Sequence, residues 1–155
     1  MTPSSILVRE FRSDDADELV ARWHDTNVGT YTYVALHQRH TLDDARGFFD
    51  RSILPTCAVL VAERNGRRAA MLAQQGCWIR QLAVFEAHRR LGIGRALVAA
   101  ARARSPGELR LFTFQRNAAA RAFYEADGFV AVRFGTSPPP ENEPDVEYVW
   151  RQAPA

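Results

Sequence analysis

The chain has 155 residues, of which 46% are hydrophobic and 25% are charged, and its formal net charge is +2. This composition is typical of a globular protein, and the length suits a single domain over residues 1–155 with a sizeable core. The small net charge argues against general nucleic-acid binding. Its apolar runs are far shorter than the roughly 20 residues that a membrane-spanning helix needs.

The N-terminus and the cysteines bear on the compartment. Met1–Arg12 lacks the basic start, apolar stretch and cleavage site of a secretion signal. Cys57 and Cys77 have neither a metal-ligand spacing nor the pattern of a disulfide framework, and we interpret both as buried free thiols. We therefore predict a cytoplasmic protein without a metal site.

All 20 basic residues are arginine. The absence of lysine excludes a phosphate-binding loop of the GxxxxGK[ST] type and Schiff-base chemistry on a lysine. The arginines are unevenly placed: residues 87–107 contain five arginines and no acid, whereas residues 135–148 contain four acids and no base.

The first half of the chain combines helical and strand patterns. Ser13 is predicted to cap a helix that ends near His24, and Thr41 a helix over Leu42–Ile53. The intervening Asn27–His40 is predicted to be irregular. Strands are predicted at Ile6–Phe11, Cys57–Glu63, Ala69–Gln74 and Trp78–Phe85, with an Asn65-Gly66 hairpin turn between the second and third.

The second half alternates helices with strands. Helices are predicted at Gly92–Arg104 and Asn117–Ala126, and strands at Leu109–Phe114, Phe129–Phe134 and Val146–Arg151, with a proline-rich loop at Gly135–Pro144. The inner face of the first of these helices is predicted to consist of Ile93, Leu97, Val98 and Ala101. Such alternation indicates parallel crossovers, whereas the hairpin indicates antiparallel pairing. The predicted fold class is therefore α/β, with a mixed twisted sheet of about six to seven strands flanked by about four helices.

The segment from Leu82 to Leu97 is predicted to be a strand, a short basic loop with two glycines, and a helix. Glycine lets the backbone approach a ligand closely, and the first N–H groups of a helix lack internal partners. Together they favour an anion such as a pyrophosphate, although a tight turn with incidental arginines fits the same residues. A dinucleotide fingerprint is excluded because Leu97 stands where its third glycine would be.

Two motifs in this half resemble signatures of the GNAT superfamily of N-acetyltransferases. Arg89-x-x-Gly92-x-Gly94 is similar to the first signature, R/Q-x-x-G-x-G/A, and the segment from Asn117 to Phe129 to the second, N-x-x-A-x-x-x-Y-x-x-x-G-F. The resemblance implies acetyl-CoA as the cosubstrate. It implies pantetheine contacts along strand residues 82–84, and pyrophosphate contacts with the amides of residues 91–96. The residues thereby assigned to coenzyme binding are Leu82, Ala83, Val84, Arg89, Arg90, Leu91, Gly92, Ile93, Gly94, Arg95, Ala96 and Asn117.

The second signature also supplies a catalytic candidate. Asn117, Arg121 and Tyr124 share one stripe of the predicted helix, which differs from the apolar face of Ala119, Ala122, Phe123 and Ala126. The resemblance implies that Tyr124 protonates the departing CoA thiolate. A tyrosine has a pKa of about 10 and a thiol of about 8.5, so the proton is available at neutral pH. Arg121 is interpreted as exposed to solvent.

No general base follows from the sequence. Some family members carry a glutamate four residues before the position of Leu82, where this chain has Trp78. The remaining candidates are Glu63, His24, His88 and the acids of Glu141–Glu147, and the base is left unassigned. Trp23, Tyr31 and Tyr33 are candidates for the wall of an acceptor pocket, and the same acids for attracting a cationic amine.

The predicted function is transfer of an acetyl group from acetyl-CoA to a primary amine, without an acyl-enzyme intermediate. The predicted partner is a small-molecule or peptide amine, with no nucleic acid and no membrane, and a homodimer is left open. Two alternatives stand beside it. One is a non-catalytic acyl-CoA-binding sensor of the same fold, and the other is a small nucleotide- or RNA-binding module that uses the arginine cluster.

Overall fold

The computed structural model describes residues 5–154, so residues 1–4 and 155 of the predicted domain lie outside the described part. Seven strands form one sheet in the order β1-β2-β3-β4-β5-β7-β6. The pair β4–β5 is parallel, and the other pairs are antiparallel. The strands are β1 (Ile6–Glu10), β2 (Ala58–Arg64), β3 (Arg67–Gln75), β4 (Trp78–Val84), β5 (Glu108–Phe114), β6 (Val130–Thr136) and β7 (Pro144–Arg151). The predicted mixed α/β sheet is confirmed.

Helices cover both faces of this sheet. They are α1 (Ala16–Thr30), α2 (Ala35–Arg39), α3 (Leu42–Phe48), α4 (Ile93–Arg104) and α5 (Ala118–Ala126). On one face, α4 buries its apolar residues Ile93, Leu97, Val98 and Ala101, as predicted. Tyr124 of α5 belongs to the same cluster. On the other face, Leu19 and Trp23 of α1 pack with Phe49, which follows α3. Each apolar helix stripe thus meets one side of the central strands.

The predicted hairpin between β2 and β3 is confirmed. Asn65 and Gly66 adopt positive φ angles of 52° and 80°, the conformation that this dipeptide favours in a two-residue turn. The turn sets the antiparallel register in which Arg64 faces Arg67 and Val61 faces Met71.

The predicted start of the first helix is wrong. Ser13 opens a 3₁₀ turn, and α1 begins at Ala16. The reason is Asp15, whose carboxylate accepts the Arg12 N–H at 2.7 Å and also binds the guanidinium groups of Arg9 and Arg68. The buried Asp15 therefore anchors the first turn to β1 and β3.

The region predicted to be irregular, Asn27–His40, is largely helical. Helix α1 continues to Thr30, well past His24, and α2 adds a short fifth helix. Thr41 caps α3 as predicted, because its hydroxyl accepts the Asp44 N–H at 3.1 Å. The predicted helix Leu42–Ile53 changes to a π-helical turn at Phe49.

Two predictions in the second half also need correction. Ala119, Ala122 and Ala126 of α5 are exposed, so most of the predicted apolar face points to solvent, whereas its fourth member, Phe123, packs against the core. The stripe that contains Tyr124 points inward. Strand β6 extends to Thr136 and β7 starts at Pro144, which shortens the predicted loop.

Cys57 and Cys77 are free thiols, but both are half-buried, so the expectation of full burial is wrong. Among residues 5–154, no helix combines the length and apolarity that a membrane span needs, and no cluster of side chains suits a metal ion. The cytoplasmic location stays a prediction.

Candidate active site at the opening between β4 and β5

Strands β4 and β5 touch at one point and then separate. Their only paired residues in the described chain are Trp78 and Arg110, beside which the Arg110 N–H donates to the Cys77 carbonyl at 2.8 Å. Beyond this point, residues 80–84 have β3 on one side and an opening on the other. The sheet therefore contains an unpaired strand edge in its middle.

The polar groups of β4 that face this opening follow from its register. The Phe85 N–H donates to the Ala69 carbonyl of the β3 side at 2.9 Å. Because backbone polar groups alternate in direction along a strand, those of Ala83 also face β3, whereas those of Leu82 and Val84 face the opening. The backbone of Leu82 and Val84 is thus directed as an added extended partner would require.

The loop before α4 presents unbonded amides. Gly92 precedes the helix in the left-handed conformation, with φ of 82°, and no side chain caps the helix. The six N–H groups from Arg90 to Arg95 make no hydrogen bond within the described chain. Ala96 differs from the prediction, since its N–H is already used by the Gly92 carbonyl at 3.1 Å. Unbonded amides beside a helix N-terminus are the kind of donors that an anion such as a pyrophosphate accepts from.

The arginines around these amides have different partners. Arg89 Nε donates to the Val84 carbonyl at 3.2 Å, so this residue joins the loop to the end of β4. Arg90 is exposed and has a positive φ of 63°. Arg95 is 75% exposed, and its Nε lies 3.7 Å from Asp127 Oδ1. Arg90 therefore retains the freest charge for an anion, while Arg95 is weakly shared with Asp127.

Helix α5 places Tyr124 in the core cluster on the same face of the sheet as α4. Its ring packs against those of Phe123 and Phe129, at centroid distances of 5.1 and 5.4 Å. The residue is 7% exposed, and within residues 5–154 its hydroxyl makes no hydrogen bond. Burial raises the pKa of Tyr124 well above its ordinary value, and the neighbouring Tyr31 acts in the same direction. Tyr124 is therefore a neutral phenol with an uncommitted hydroxyl.

Asn117, at the other end of the signature, caps the same helix. Its Oδ1 accepts the Ala120 N–H at 3.2 Å, which satisfies one of the free amides of the first turn. Arg121 is half-buried and not solvated as predicted, because its Nε donates to the Tyr148 hydroxyl at 3.1 Å. The structure therefore gives Asn117 and Arg121 structural contacts.

A cavity of about 1000 Å³ lies on the other side of the opening, between α1–α3 and the strands β4–β7. Trp23 and Tyr31 line it as predicted, whereas Tyr33 does not. Tyr33 instead lies under the Arg116 guanidinium, 5.1 Å from its ring centroid. Further aromatic walls come from Phe48, Trp78, Phe112 and Phe114. The cavity thus has room and apolar surface for an acceptor with an apolar body.

The acids of the β6–β7 segment divide into two groups. Glu141 and Asp145 line the cavity. Glu143 and Glu147 do not, since Glu143 pairs with Arg116 and Glu147 accepts from Arg110 Nη1 at 2.8 Å. Burial raises the pKa of the Asp145 carboxyl.

The candidate bases also divide into residues that line the cavity and residues that lie outside it. His24 lines the cavity. Glu63 lies outside it and is bound by Arg9 Nε at 2.6 Å. His88 is also outside, where its Nδ1 accepts from Arg64 Nε at 2.9 Å and burial lowers its pKa. Neither Glu63 nor His88 is placed to serve a reaction in the cavity.

Two cavity residues were not predicted from the sequence. His37 and His40 line the cavity from the segment that was predicted to be irregular. His37 Nε2 lies 3.2 Å from Glu141 Oε2, a partner 104 positions away along the chain. No local sequence pattern predicts such a pair. The sequence shows histidines shortly before α3 and acidic residues shortly before β7, but nothing in it indicates that they meet.

The comparisons with known proteins agree with this geometry. Residues 55–131 match the model of the acetyltransferase (GNAT) domain. The solution structure of apo-form YjaB from Escherichia coli superposes with a TM-score of 0.79 at 24% identity, covering 96% of this chain and 99% of that one. The GCN5-related N-acetyltransferase structure from Rhodopseudomonas palustris gives 0.75 at 18% identity, covering 98% and 99%.

A further structure is that of yncA, a putative acetyltransferase from Salmonella typhimurium, with its cofactor acetyl-CoA. It gives a TM-score of 0.69 at 15% identity, covering 94% of this chain and 93% of that one. No protein of curated function matches this sequence significantly. The matched domain contains the first signature and the second, and the shared fold extends over nearly the whole chain. This chain therefore belongs to the GNAT superfamily of acetyltransferases.

Proposed function

We propose that the protein transfers the acetyl group of acetyl-CoA directly to a primary amine bound in the cavity. The observation that carries this proposal is the opening between β4 and β5. On one side of it lie the unpaired edge of β4 and the free amides before α4, and on the other lies a cavity with room for an acceptor. Family membership supports acyl transfer in general, and the yncA complex supports acetyl-CoA as the donor.

Each part of this surface suits one part of the donor. The pyrophosphate would accept hydrogen bonds from the amides between Arg90 and Arg95, with Arg90 adding charge. The pantetheine arm would lie along β4 and bond to the outward-facing backbone groups of Leu82 and Val84. Ala83 would contribute no backbone bond, because its polar groups are used by β3.

Tyr124 is proposed to act on the leaving group. The amine nitrogen attacks the thioester carbonyl carbon, the C–N bond forms, and the C–S bond breaks. The CoA thiolate then takes a proton from the Tyr124 hydroxyl, which its raised pKa keeps protonated at neutral pH. Neither Cys57 nor Cys77 lines the described cavity, which favours direct transfer over an acyl-enzyme.

The test is thiol release from acetyl-CoA with a panel of primary amines. We expect Tyr124→Phe to bind acetyl-CoA as the wild type does and to lower kcat by about 100-fold or more, the usual contribution of a general acid. Tyr33→Phe is the matched control, because the Tyr33 hydroxyl is buried outside the cavity and has no hydrogen-bond partner among residues 5–154. Equal turnover by wild type and Tyr124→Phe would remove this residue from the mechanism.

The alternative of a non-catalytic acyl-CoA sensor is favoured by one observation. Trp78 occupies the position where some relatives have a glutamate, and it stacks on Phe112 at a centroid distance of 5.4 Å. A sensor would bind acetyl-CoA and release no thiol with any amine of the panel. Measured turnover with one amine excludes it.

A further inference from the structure

We propose that His37, oriented by Glu141, removes the proton from the acceptor amine. The inference rests on the proposed function and deepens it, because it supplies the base that the tryptophan at position 78 cannot provide. The two residues come from separate parts of the fold, His37 from α2 and Glu141 from the segment between β6 and β7.

The pair has the geometry of an oriented base. His37 Nε2 lies 3.2 Å from Glu141 Oε2, and the two side chains are 18% and 29% exposed. Both residues line the cavity, so the pair is open to an acceptor yet partly shielded from water. A carboxylate that binds one ring nitrogen fixes the tautomer and leaves the other nitrogen as the proton acceptor. Here Glu141 accepts from Nε2–H, and His37 Nδ1, which has no partner in the described chain, carries the lone pair.

Tyr31 connects this pair with Tyr124. The Tyr31 ring lies 4.9 Å from that of His37, centroid to centroid, and 5.1 Å from that of Phe114. Burial raises the pKa of Tyr31 to about 12, with Tyr33 and Glu141 adding to the effect and Asn117 opposing it. Tyr31 in turn contributes to the raised pKa of Tyr124. Tyr31 therefore neighbours both the proposed base and the proposed acid, and of these two His37 lines the cavity.

The protons balance with this division of roles. The acceptor enters as an ammonium ion, and His37 Nδ1 takes its first proton, which later passes to solvent. The neutral amine attacks the thioester carbonyl, and its nitrogen releases a second proton as the amide forms. That second proton replaces the one that Tyr124 gives to the CoA sulfur. One ammonium ion and one thioester thus yield one amide, one thiol and one proton.

Other charged groups share the cavity and belong in the interpretation of any pH profile. Besides Glu141 and Tyr31, the titratable and charged residues that line it are His24, His40, Arg80, Arg133 and Asp145. Among the histidines of the cavity wall, His37 is the one whose ring nitrogen lies within 4 Å of a carboxylate in the described chain. This contact distinguishes His37 from His40, although the ring centroids of the two histidines are only 6.3 Å apart.

The experiment is a pH profile of kcat/KM for wild type, His37→Gln, Glu141→Gln and His40→Gln with one accepted amine. We expect an acidic limb between about pH 5 and 8 in the wild type, where histidines titrate. His37→Gln should lose this limb and about 100-fold in rate at pH 7. The loss should shrink toward pH 10, because an amine that is already neutral needs no base.

The second variant and a rescue experiment keep the test independent of folding. Glu141→Gln should lower kcat/KM severalfold at pH 7, because a neutral amide holds the imidazole ring less firmly than a carboxylate does. Imidazole added to His37→Ala should restore part of the rate. His40→Gln should keep the limb. A His37→Gln loss that is equal at every pH, or an unchanged limb in this variant, would assign the pair a structural role and overturn the proposal.

Failure of this inference is distinguishable from failure of the proposed function. If wild-type protein binds acetyl-CoA but transfers to no amine, the proposed function fails before any variant is compared. If wild type transfers and Tyr124→Phe does not, while His37→Gln behaves as wild type at every pH, the function stands and the base lies elsewhere.

Discussion

Gly94 and Phe123 lie so close that a Cβ atom on Gly94 would stand 3.1 Å from Cζ and 3.2 Å from Cε2 of the phenylalanine. Carbon atoms prefer separations of about 3.5–4.0 Å, so there is no room for a methyl group without movement. Gly94 belongs to the first signature and Phe123 to the second. The two motifs are therefore in direct contact, and the residue after Phe123 is Tyr124.

We expect Gly94→Ala to affect activity more than stability. Overpacking costs about 1–3 kcal/mol, whereas alanine gains up to about 1 kcal/mol of helix propensity over glycine, so the net destabilisation is small. The displaced ring of Phe123 moves Tyr124, and kcat should fall severalfold. Thermal unfolding and kcat measured together test this.

The control for that substitution is Gly29→Ala in α1. A Cβ atom at Gly29 would have no atom of the described residues within 4 Å, so only the helix propensity changes. This variant should be slightly more stable with unchanged kcat. A full kcat in Gly94→Ala would show that α5 absorbs the methyl group without moving the tyrosine.

Gly92→Val tests the anion loop. The left-handed φ of 82° is strained for a β-branched residue by about 2 kcal/mol, so the loop will relax and turn its amides away from the anion. We expect the Kd for acetyl-CoA to rise tenfold or more, which corresponds to about 1.4 kcal/mol. Titration calorimetry with acetyl-CoA measures the change.

Gly66→Val is the matched control, because it introduces a similar backbone strain away from the anion loop. Gly66 has a φ of 80° and, like Gly92, open space around its Cβ position. The variant should lose comparable stability and keep its affinity for acetyl-CoA. Equal losses of affinity in both variants would mean that strain alone, and not the position of the amides, weakens binding.

Asp15 should control stability in acid. Its carboxylate is buried and receives a bidentate contact from Arg9, at 2.9 and 2.8 Å, and one from Arg68 at 2.7 Å. These hydrogen bonds, that of Arg9 first, hold the pKa of Asp15 far below its ordinary value despite burial. A depressed folded-state pKa gives stability that is complete above the unfolded pKa of about 3.9 and is lost as the pH falls below it.

We therefore expect Asp15→Asn to lose about 3 kcal/mol of unfolding free energy at pH 7, because two guanidinium groups lose their shared carboxylate. The deficit should narrow below about pH 4, where wild type loses the same contribution. Urea unfolding at several pH values measures both effects. Asp14→Asn is the control: this exposed neighbour should change the free energy by less than about 0.5 kcal/mol at any pH.

Much of the fold followed from the sequence because its signals are local. The Asn65-Gly66 turn, the Thr41 cap and the apolar stripe of α4 each lie within a few residues and determine one element. The two signatures could likewise be identified from short spacings. The predicted end of α1 near His24 failed because Gly29 and the residues around it favour helix weakly, and packing over β3 and β4 compensates for that weakness.

The parts of the site that could not be predicted depend on tertiary structure. Alanines are apolar yet good helix formers on an exposed face, so Ala119 and Ala122 suggested the wrong side of α5. The contact of His37 with Glu141 joins segments that are distant in sequence and needs the folded sheet. Tyr33 was a candidate for the pocket wall, but its position under Arg116 depends on the loop after β5.

The single pairing of Trp78 with Arg110 has a consequence for how this protein avoids association. An unpaired strand edge at the rim of a sheet is a template for aggregation with other chains. Here the free edge of β4 lies inside the sheet, where β5 limits the approach of anything as wide as a second sheet. A slender extended molecule can still enter and complete the ladder. Backbone groups that would promote aggregation at the rim of a sheet are thus accessible here only to a narrow, extended ligand.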